Sequence, residues 1–270
     1  MPTFQVNNQE IFYEDTGGSG PPLVFLHGFL FDHTMFKAQV EMLTPDYRCI
    51  QIDTRGFGQT KWDGEAFTLY DIVADTIALL DHLALDKVTV IGMSQGAYAA
   101  VRLAIKHPDR LLALVLMSTR KDITSTEFNE SYKVLRNAWM NNGPQDALIQ
   151  PLMSTLIGDQ KKFGDHWEVW KPQWKEVSGD RMYHTMNALL ARNLLADEDI
   201  QKIDVPVLSI HGLDDIGTPV GLADQLYALF PNGKGKVRIK GAAHAVNMTH
   251  PEEVNPPLRA FLDEYVLNAA

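Results

Sequence analysis

A Gly-x-Ser-x-Gly motif at residues 92–96 constrains this chain more than any other stretch. An apolar run rich in β-branched residues, 88–91, precedes it, and a run of helix formers follows it with no proline until Pro108. The pattern predicts a buried strand, a sharp turn at Ser94 and a helix. The two glycines let strand and helix approach closely around a strained turn that projects the Ser94 hydroxyl. Ser94 is therefore a candidate nucleophile, with a plain Gly/Ser turn as the alternative.

Composition limits the kind of protein that this motif can serve. The 270 residues are 45% hydrophobic, enough for one α/β unit with an insertion, and the single cysteine, Cys49, excludes an intrachain disulfide framework. The formal net charge of −10 argues against nucleic acid or an anionic membrane as partner. No run is long enough to span a bilayer, and the first residues do not resemble a signal peptide. We expect a soluble, cytoplasmic protein that binds a small molecule, alone or as a homo-oligomer.

Strand and helix patterns alternate along most of the chain. Two short alternating runs at residues 4–6 and 11–14 predict an antiparallel hairpin at a sheet edge. The further predicted strands cover residues 23–26, 47–52, 88–91, 111–117, 205–211 and 236–240. The predicted helices cover residues 35–43, 69–83 with Thr68 as cap, 95–106, 220–230 and 258–267. This alternation predicts an α/β fold with a mostly parallel, doubly wound sheet and helices on both faces.

The pattern changes after Arg120. From residue 121 to 196 there is no convincing strand, and aromatic residues and methionines recur within helix-compatible, amphipathic segments. We predict a helical cap that folds over the strand ends. Most of its apolar residues form its own core, while a few line an apolar pocket above Ser94. The predicted domains are the core, residues 1–120 and 197–270, and the cap, residues 121–196.

Three groups that can perform acyl transfer together follow three of the predicted strands. Ser94 follows one of them, Asp214 and Asp215 follow the next to last, and His244 follows the last. A serine nucleophile needs a base to take its proton, and the imidazole needs a carboxylate to set its tautomer and stabilise its cation. Because groups at the ends of parallel strands can converge at one edge of the sheet, we expect these side chains to meet there.

An earlier strand end provides a candidate oxyanion hole. Gly28 lets the chain curl after the strand, so that the Phe29 N–H points into the site. The N–H of Gln95, the residue after the candidate nucleophile, is the second expected donor. His27 is interpreted as a structural residue that forms hydrogen bonds under this loop.

Other polar residues receive structural interpretations. Asp53 and Arg55 could form a catalytic pair, but such residues more often fix a loop through backbone hydrogen bonds and an ion pair. His33, His184 and His250 show no metal-ligand spacing. The sequence therefore predicts no metal site and no cofactor.

These motifs resemble those of the α/β-hydrolase superfamily over nearly the whole chain, and are most similar to bacterial carboxylesterases, cofactor-free perhydrolases and enol-lactone hydrolases. The resemblance implies Ser94 as nucleophile, His244 as base, Asp215 as acid, and the N–H groups of Phe29 and Gln95 as oxyanion hole. It rests on His27-Gly28-Phe29, Asp53-Thr54-Arg55-Gly56-Phe57-Gly58, Gly92-Met93-Ser94-Gln95-Gly96, Gly212-Leu213-Asp214-Asp215 with Pro219, and Gly241-Ala242-Ala243-His244.

The family pattern leaves some positions to be tested. Its Gly-x-x-Asp-x-x-x-Pro spacing selects Asp215 and makes Asp214 a turn or cap residue, while some relatives carry the acid at the position of Asp122. Gln95 stands where many relatives have Leu or Met, which changes the side chain but not the backbone N–H. Because proline interrupts helical hydrogen bonding, the run Asn255-Pro256-Pro257 predicts that the last helix starts later than in relatives.

The implied activity is that of a serine carboxylesterase or lactonase with a Ser-His-Asp catalytic triad. It would cleave carboxylic esters or lactones of small, largely apolar substrates through an acyl-enzyme. A carbon–carbon bond hydrolase of the same fold and a slow-turnover ligand receptor remain alternatives. Haloalkane dehalogenases and epoxide hydrolases are disfavoured, because in those relatives an aspartate stands at the position of Ser94.

Overall fold

A computed structural model of the chain describes residues 2–121 and 126–268, with side chains from 129 onward in the second range. Eight strands form one sheet in the order β1-β2-β4-β3-β5-β6-β7-β8, and β3 to β8 pair in parallel. The strands are β1 (Thr3–Val6), β2 (Gln9–Asp15), β3 (Pro22–Leu26), β4 (Arg48–Ile52), β5 (Val88–Met93), β6 (Leu111–Met117), β7 (Val207–Gly212) and β8 (Gly233–Ile239). The predicted α/β class with a mostly parallel sheet is confirmed.

Helices cover both faces of this sheet. A short 3₁₀ helix, His33–Phe36, leads directly into the first α-helix. The helices are α1 (Lys37–Leu43), α2 (Leu69–His82), α3 (Gln95–Lys106), α4 (Thr126–Asn142), α5 (Asp146–Leu156), α6 (Gln160–Lys175), α7 (Gly179–Leu190), α8 (Asp197–Ile200), α9 (Val220–Tyr227), α10 (Val246–Thr249) and α11 (Pro251–Leu262). Among the described residues, none of these helices is both long enough and apolar enough to cross a membrane.

The edge hairpin forms as predicted, with a two-residue turn. Asn7 and Asn8 have φ values of 47° and 63°, and Val6 pairs with Gln9 across the turn. Two consecutive residues with positive φ are typical of a type I′ turn, whose twist matches that of the strands, and asparagine tolerates this conformation. The hairpin is antiparallel, and β2 joins the sheet by pairing antiparallel with β4.

The centre of the sheet is buried on both faces. All six residues of β5 are buried. Ile91 and Met93 belong to the apolar cluster on one face, and Val88 and Val90 belong to the cluster on the other. A parallel strand that is covered on both sides has apolar residues at nearly every position, which explains the unbroken run in the sequence. Each fully buried aliphatic side chain contributes about 1.5–3 kcal/mol, so the strand that ends at Ser94 is held firmly.

The expectation about the last helix is wrong. Helix α11 runs without interruption through Asn255, Pro256 and Pro257. The two prolines cannot donate hydrogen bonds to the preceding turn, but tertiary contacts stabilise the helix. Four apolar side chains of α11 are buried, and the Asn255 amide accepts a hydrogen bond of 2.8 Å from Gln39 Nε2 and donates one of 3.2 Å to the carbonyl of Ala38.

Between β6 and β7 the described residues form helices α4 to α8 and no strand. We call residues 126–196 the helical segment. It packs against the loop that follows β3, where the ring of Phe31 meets those of Trp170 and Trp174 at centroid distances of 4.8 and 5.8 Å. The backbone N–H of Ala245 also donates to the Leu156 carbonyl over 2.7 Å. The division of the chain into a core and a cap domain remains a prediction.

Candidate active site

Ser94 lies in the tight turn between β5 and α3. Its φ of 49° and ψ of −110° are strained for a residue with a side chain. The turn is closely packed on both sides: a Cβ on Gly96 would lie 1.9 Å from the Leu26 carbonyl oxygen, and one on Gly92 would lie 2.6 Å from the Ala97 Cα. Only glycine fits at either position, which gives the physical reason for the Gly-x-Ser-x-Gly spacing.

The structure brings Ser94, His244 and Asp215 into one hydrogen-bonded chain. His244 Nε2 lies 2.7 Å from Ser94 Oγ, and His244 Nδ1 lies 2.6 Å from Asp215 Oδ2. All three residues are buried, with at most 8% of their surface exposed. With the proton on Nδ1 donated to the carboxylate, Nε2 is free to accept the proton of the serine hydroxyl. This is the arrangement that activates a serine for attack on a carbonyl.

Asp215 is held by several donors besides His244. The Thr218 N–H donates to Asp215 Oδ1 over 2.8 Å, and His211 Nε2 lies 3.3 Å from Oδ2. Burial alone would raise the pKa of Asp215, but the charge of His244 and the hydrogen bonds of His211 and His244 hold it well below its ordinary value. The carboxylate is therefore ionised throughout the neutral range. Asp214 is exposed, and its N–H donates to the carbonyl of Ala242, as a turn residue would.

Two supporting residues were missed in the sequence. His211, the last but one residue of β7, is buried beside Asp215, and its Nε2 also lies 2.6 Å from the carbonyl oxygen of Thr218. Ser118 follows β6, and its hydroxyl donates over 2.6 Å to the His244 carbonyl. The position of His211 at a strand end beside Gly212 was a signal that could have identified it, whereas nothing local marked Ser118.

The two expected oxyanion donors lie beside Ser94. Gln95 begins α3, and Phe29 lines the same pocket as Ser94. A Cβ on Gly28 would lie 3.6 Å from the Ser94 Cβ, so the loop after β3 runs close to the serine. Among the described residues, neither the Phe29 N–H nor the Gln95 N–H has a hydrogen-bond acceptor. Unsatisfied N–H groups at this point can receive the negative charge of a carbonyl oxygen.

His27 has the structural role predicted for it. Its Nδ1 lies 2.8 Å from the Gly28 carbonyl oxygen, and its Nε2 accepts a hydrogen bond of 3.0 Å from the Thr54 N–H. Burial lowers the pKa of His27, which agrees with a neutral ring that donates at one nitrogen and accepts at the other. The ring therefore fastens the loop after β3 to the loop after β4.

Asp53 and Arg55 also fix a loop, although they do not pair with each other. Asp53 accepts hydrogen bonds from the His33 N–H, His33 Nδ1 and the Gln59 N–H, each 2.8 Å long. Arg55 instead forms its ion pair with Asp75 of α2, at 2.8 Å between Nη2 and Oδ1. No described hydrogen bond joins either residue to Ser94 or His244.

The remaining histidines lie apart from this chain of hydrogen bonds. The ring of His184 is tilted against that of Trp62, with centroids 5.4 Å apart, and His250 Nε2 lies 3.3 Å from Lys162 Nζ. The ligand atoms of Asp32, His33 and Asp53 lie within 4.8 Å of one another, a grouping that the sequence spacing did not show. Its carboxylates already accept hydrogen bonds from N–H and hydroxyl groups, which compete with any metal ion. Asp122, the alternative acid, lies outside the described residues.

A pocket opens above Ser94 and His244, between the strand ends and the helical segment. Its cavity is narrow, with a volume of about 40 Å³. The lining combines aliphatic and aromatic side chains with a few polar groups: Phe29, Ser94, Tyr98, Arg120, Tyr132, Leu156, Leu189, Leu190, Arg192, Gly217, Thr218 and His244.

A family model described as alpha/beta hydrolase fold matches residues 21–251. A putative non-heme bromoperoxidase, BpoC, of Mycobacterium tuberculosis is 31% identical over 255 residues, covering 92% of this chain and 95% of that protein. A pimeloyl-[acyl-carrier protein] methyl ester esterase of Nitrosomonas europaea is 24% identical, covering 88% of this chain and 94% of the relative.

Solved structures agree with these matches. A thermophilic esterase from Thermogutta terrifontis, described as malate bound, superimposes with a TM-score of 0.86 at 27% identity, covering 97% of each chain. The enol-lactonase from Burkholderia xenovorans LB400 has a TM-score of 0.89 at 22% identity, covering 97% of this chain and all of that one, and shows the fold alone. The family match over most of the chain, together with this fold, shows that the protein belongs to the α/β-hydrolase family.

Proposed function

We propose that this protein is a serine hydrolase that cleaves carboxylic esters or lactones of small, largely apolar molecules through an acyl-enzyme. The observation that carries this proposal is the continuous chain from Ser94 Oγ through His244 to Asp215, with distances of 2.7 and 2.6 Å, at the base of a pocket. The names of the esterase relatives support it.

The proposed reaction begins with attack of Ser94 Oγ on the ester carbonyl. His244 Nε2 takes the hydroxyl proton, and the carbonyl oxygen becomes an oxyanion that accepts hydrogen bonds from the N–H groups of Phe29 and Gln95. As the tetrahedral intermediate collapses, His244 gives the proton to the departing alkoxide. The products of this step are the alcohol and an ester of Ser94.

Hydrolysis of the acyl-enzyme repeats the same chemistry with water. His244 Nε2 removes a proton from water, the hydroxide adds to the acyl carbon, and collapse returns the proton to Ser94 Oγ with release of the acid. Asp215 does not take up the proton at any stage. Its role is to orient the imidazole and stabilise the imidazolium, which the low pKa of its carboxyl allows.

A second candidate function follows from the relatives named as haloperoxidases. Hydrogen peroxide can replace water in the attack on the acyl-enzyme, and the product is then a peroxycarboxylic acid, which can oxidise halide in solution. This reaction uses the same Ser94 and His244 and needs no further group of the protein. Bromide-dependent oxidation that requires both acetate and hydrogen peroxide would distinguish it from ester hydrolysis.

The test is turnover of p-nitrophenyl esters from acetate to decanoate, beside a panel of lactones. We expect Ser94→Ala to lower kcat by about three orders of magnitude or more, because the nucleophile and its base act as one unit. Ser154→Ala, which changes an exposed serine of α5, is the matched control and should retain full activity. Full activity in folded Ser94→Ala protein would refute the mechanism. A stoichiometric burst without turnover would indicate a ligand receptor, and no burst would favour carbon–carbon substrates.

A further inference from the structure

Arg192 is a charged residue of the pocket that the proposed reaction does not use. It follows α7 and is 8% exposed, and it lines the same pocket as Ser94 and His244. The protein carries an excess of acidic residues, with a formal net charge of −10. A buried guanidinium therefore shares the pocket with Ser94 and His244.

The contacts of Arg192 leave most of its donors unused. One nitrogen donates to the Leu189 carbonyl over 2.6 Å, and the guanidinium carbon lies 4.6 Å from the ring centroid of Tyr98. Its Nε is buried and has no hydrogen-bond partner. Within the described part of the chain, no carboxylate oxygen lies within 4 Å of its nitrogens. A guanidinium offers five N–H donors, and leaving several of them buried and unmatched costs free energy.

Other arginines of the protein form ion pairs with aspartates. Arg48 pairs with Asp15, Arg55 with Asp75, and Arg259 with Asp263. These carboxylates supply the bidentate or charge-assisted hydrogen bonds that a guanidinium prefers. Arg192 lacks such a partner among the described residues, although the chain has acidic residues in excess. The missing anion can be supplied by a ligand in the pocket.

A second buried cation raises the positive potential near Arg192. Arg102 of α3 donates to the carbonyls of Tyr98 and Asn193 and has no carboxylate within 4 Å among the described residues. Both arginines contact Tyr98, Arg102 at its carbonyl oxygen and Arg192 over its ring. Burial lowers the pKa of Arg102, and the charge of Arg192 acts in the same direction. An anion bound between the guanidinium and the pocket would offset this positive charge.

We infer that Arg192 binds a carboxylate of the substrate, so that the preferred ester or lactone carries one ionised carboxylate besides the group that is cleaved. This inference rests on the proposed function and narrows its substrate class. The planar fork of arginine matches a carboxylate in two-point contact. The aliphatic side chains of Leu156, Leu189 and Leu190 line the same pocket and suit a short methylene chain between the carboxylate and the scissile carbonyl.

The kinetic test compares two esters that differ only at the far end of the acyl chain. The mono-p-nitrophenyl ester of adipic acid ends in a carboxylate, and p-nitrophenyl hexanoate ends in a methyl group. In the wild type we expect kcat/KM to favour the carboxylate ester. Arg192→Gln should lower kcat/KM for that ester by about 10- to 100-fold and change the hexanoate value by less than about threefold, since a charged hydrogen bond is lost only with the first.

The control variant makes the same arginine-to-glutamine change at a position outside the pocket. Arg136→Gln removes a guanidinium that also lies over a tyrosine ring, at 4.8 Å from Tyr183, in the helical segment but outside the pocket. This variant should leave kcat/KM unchanged for both esters. Arg192→Lys keeps the positive charge but loses the planar guanidinium. It should fold, and its kcat/KM preference for the carboxylate ester should lie between those of the wild type and Arg192→Gln. An equal loss for both esters in Arg192→Gln, or no loss for either, would overturn the inference.

Calorimetric titration of adipate separates this inference from the proposed function. The wild-type protein should bind adipate but not 1,6-hexanediol, and Arg192→Gln should weaken adipate binding by about tenfold or more. If no ester is hydrolysed but adipate binds through Arg192, the proposed function fails and the ester substrate class falls with it, while Arg192 is still shown to bind a carboxylate. If esters are hydrolysed in a Ser94-dependent manner and adipate does not bind, or binds equally without Arg192, the inference fails alone.

Discussion

Among the described residues, two buried histidines approach an aspartate through Nδ1 at the carboxyl edge of the sheet, and one of them faces the hydroxyl of Ser94. In the first, His33 Nδ1 lies 2.8 Å from Asp53 Oδ1 after β4. In the second, His244 Nδ1 lies 2.6 Å from Asp215 Oδ2 after β7 and β8. The two pairs use the same imidazole nitrogen and nearly the same distance. Their chemistry is decided by what the other nitrogen meets.

The outer nitrogens meet different groups. His244 Nε2 lies 2.7 Å from Ser94 Oγ, whereas His33 Nε2 lies 3.6 Å from a carboxylate oxygen of Glu14. An imidazole between two carboxylates is stabilised as a cation, which makes it a poor base, while one facing a hydroxyl can accept its proton. An aspartate–histidine pair can therefore fix a loop or position a general base, and the group that contacts Nε2 decides which.

The largest difference between the pairs should appear when each histidine is replaced. We expect His244→Gln to lower kcat by about three orders of magnitude or more, because among the described residues only His244 forms a hydrogen bond with Ser94 Oγ and can take its proton. His33→Gln should keep kcat/KM within about threefold in the folded protein. Steady-state hydrolysis of p-nitrophenyl hexanoate by the two folded variants checks this. Equal losses in both would show that the pairs are not functionally distinct.

A smaller loss is expected when the carboxylate behind His244 is neutralised. Asp215→Asn keeps the shape but not the charge, so that the imidazolium is no longer stabilised and its tautomer is no longer set. We expect kcat to fall by about 10²- to 10⁴-fold. The matched control is the exposed neighbour, Asp214→Asn, which should stay within about twofold of the wild type. A large effect at Asp214 instead would reassign the acid.

The smallest effect concerns the pH dependence of stability. Burial alone would lower the pKa of His33, but the hydrogen bond and charge of Asp53 outweigh it and raise that pKa above its ordinary value of 6.5. Burial would likewise raise the pKa of Asp53, but His33 and the other donors lower it below 3.8. The histidine contribution is therefore complete below about pH 6.5 and is lost as pH rises through the folded-state pKa.

The aspartate contribution has the opposite direction. It is present above the unfolded-state pKa and is lost as pH falls through the folded-state pKa. Between about pH 6 and pH 9 only the histidine contribution changes. Because it is lost as pH rises, the free energy of unfolding should fall over this range by more in the wild type than in His33→Gln. Urea unfolding of both proteins at the two pH values measures this. Parallel changes in the two proteins would show that His33 is not charged in the fold.

Local patterns predicted much of the fold. The helix after Thr68 begins with the expected cap, where the Thr68 N–H also donates to Asp71 over 2.7 Å. The turn at Ser94 and helix α3 lie where the glycines and the run of helix formers indicated. Strand β7 starts only after Pro206, because proline has no N–H to donate to a neighbouring strand. Helix α11 crosses Pro256 and Pro257, because its buried apolar face and its hydrogen bonds with α1 outweigh the local preference.

The sequence predicted which residues form the site better than it predicted the contacts between them. The strand ends identified Ser94, His244 and the acidic pair, and the family spacing then selected Asp215. The structure brings Ser94, Asp215 and His244 together over separations of 150 and 29 residues. Their catalytic roles remain proposals. The second Asp–His pair was not predicted, because His33 and Asp53 lie 20 residues apart on two loops whose shapes no local pattern specifies.

The sequence by itself determined the turn at Ser94, the order of strands and helices and the apolar layers of the sheet, because backbone sterics and side-chain periodicity are local properties. The tertiary structure decided which imidazole faces the serine and which arginine is left in the pocket without a carboxylate. These outcomes depend on distances between segments far apart in the chain. A difference of a few ångströms there separates a charge pair from an unpaired ion, and no local pattern in the chain encodes it.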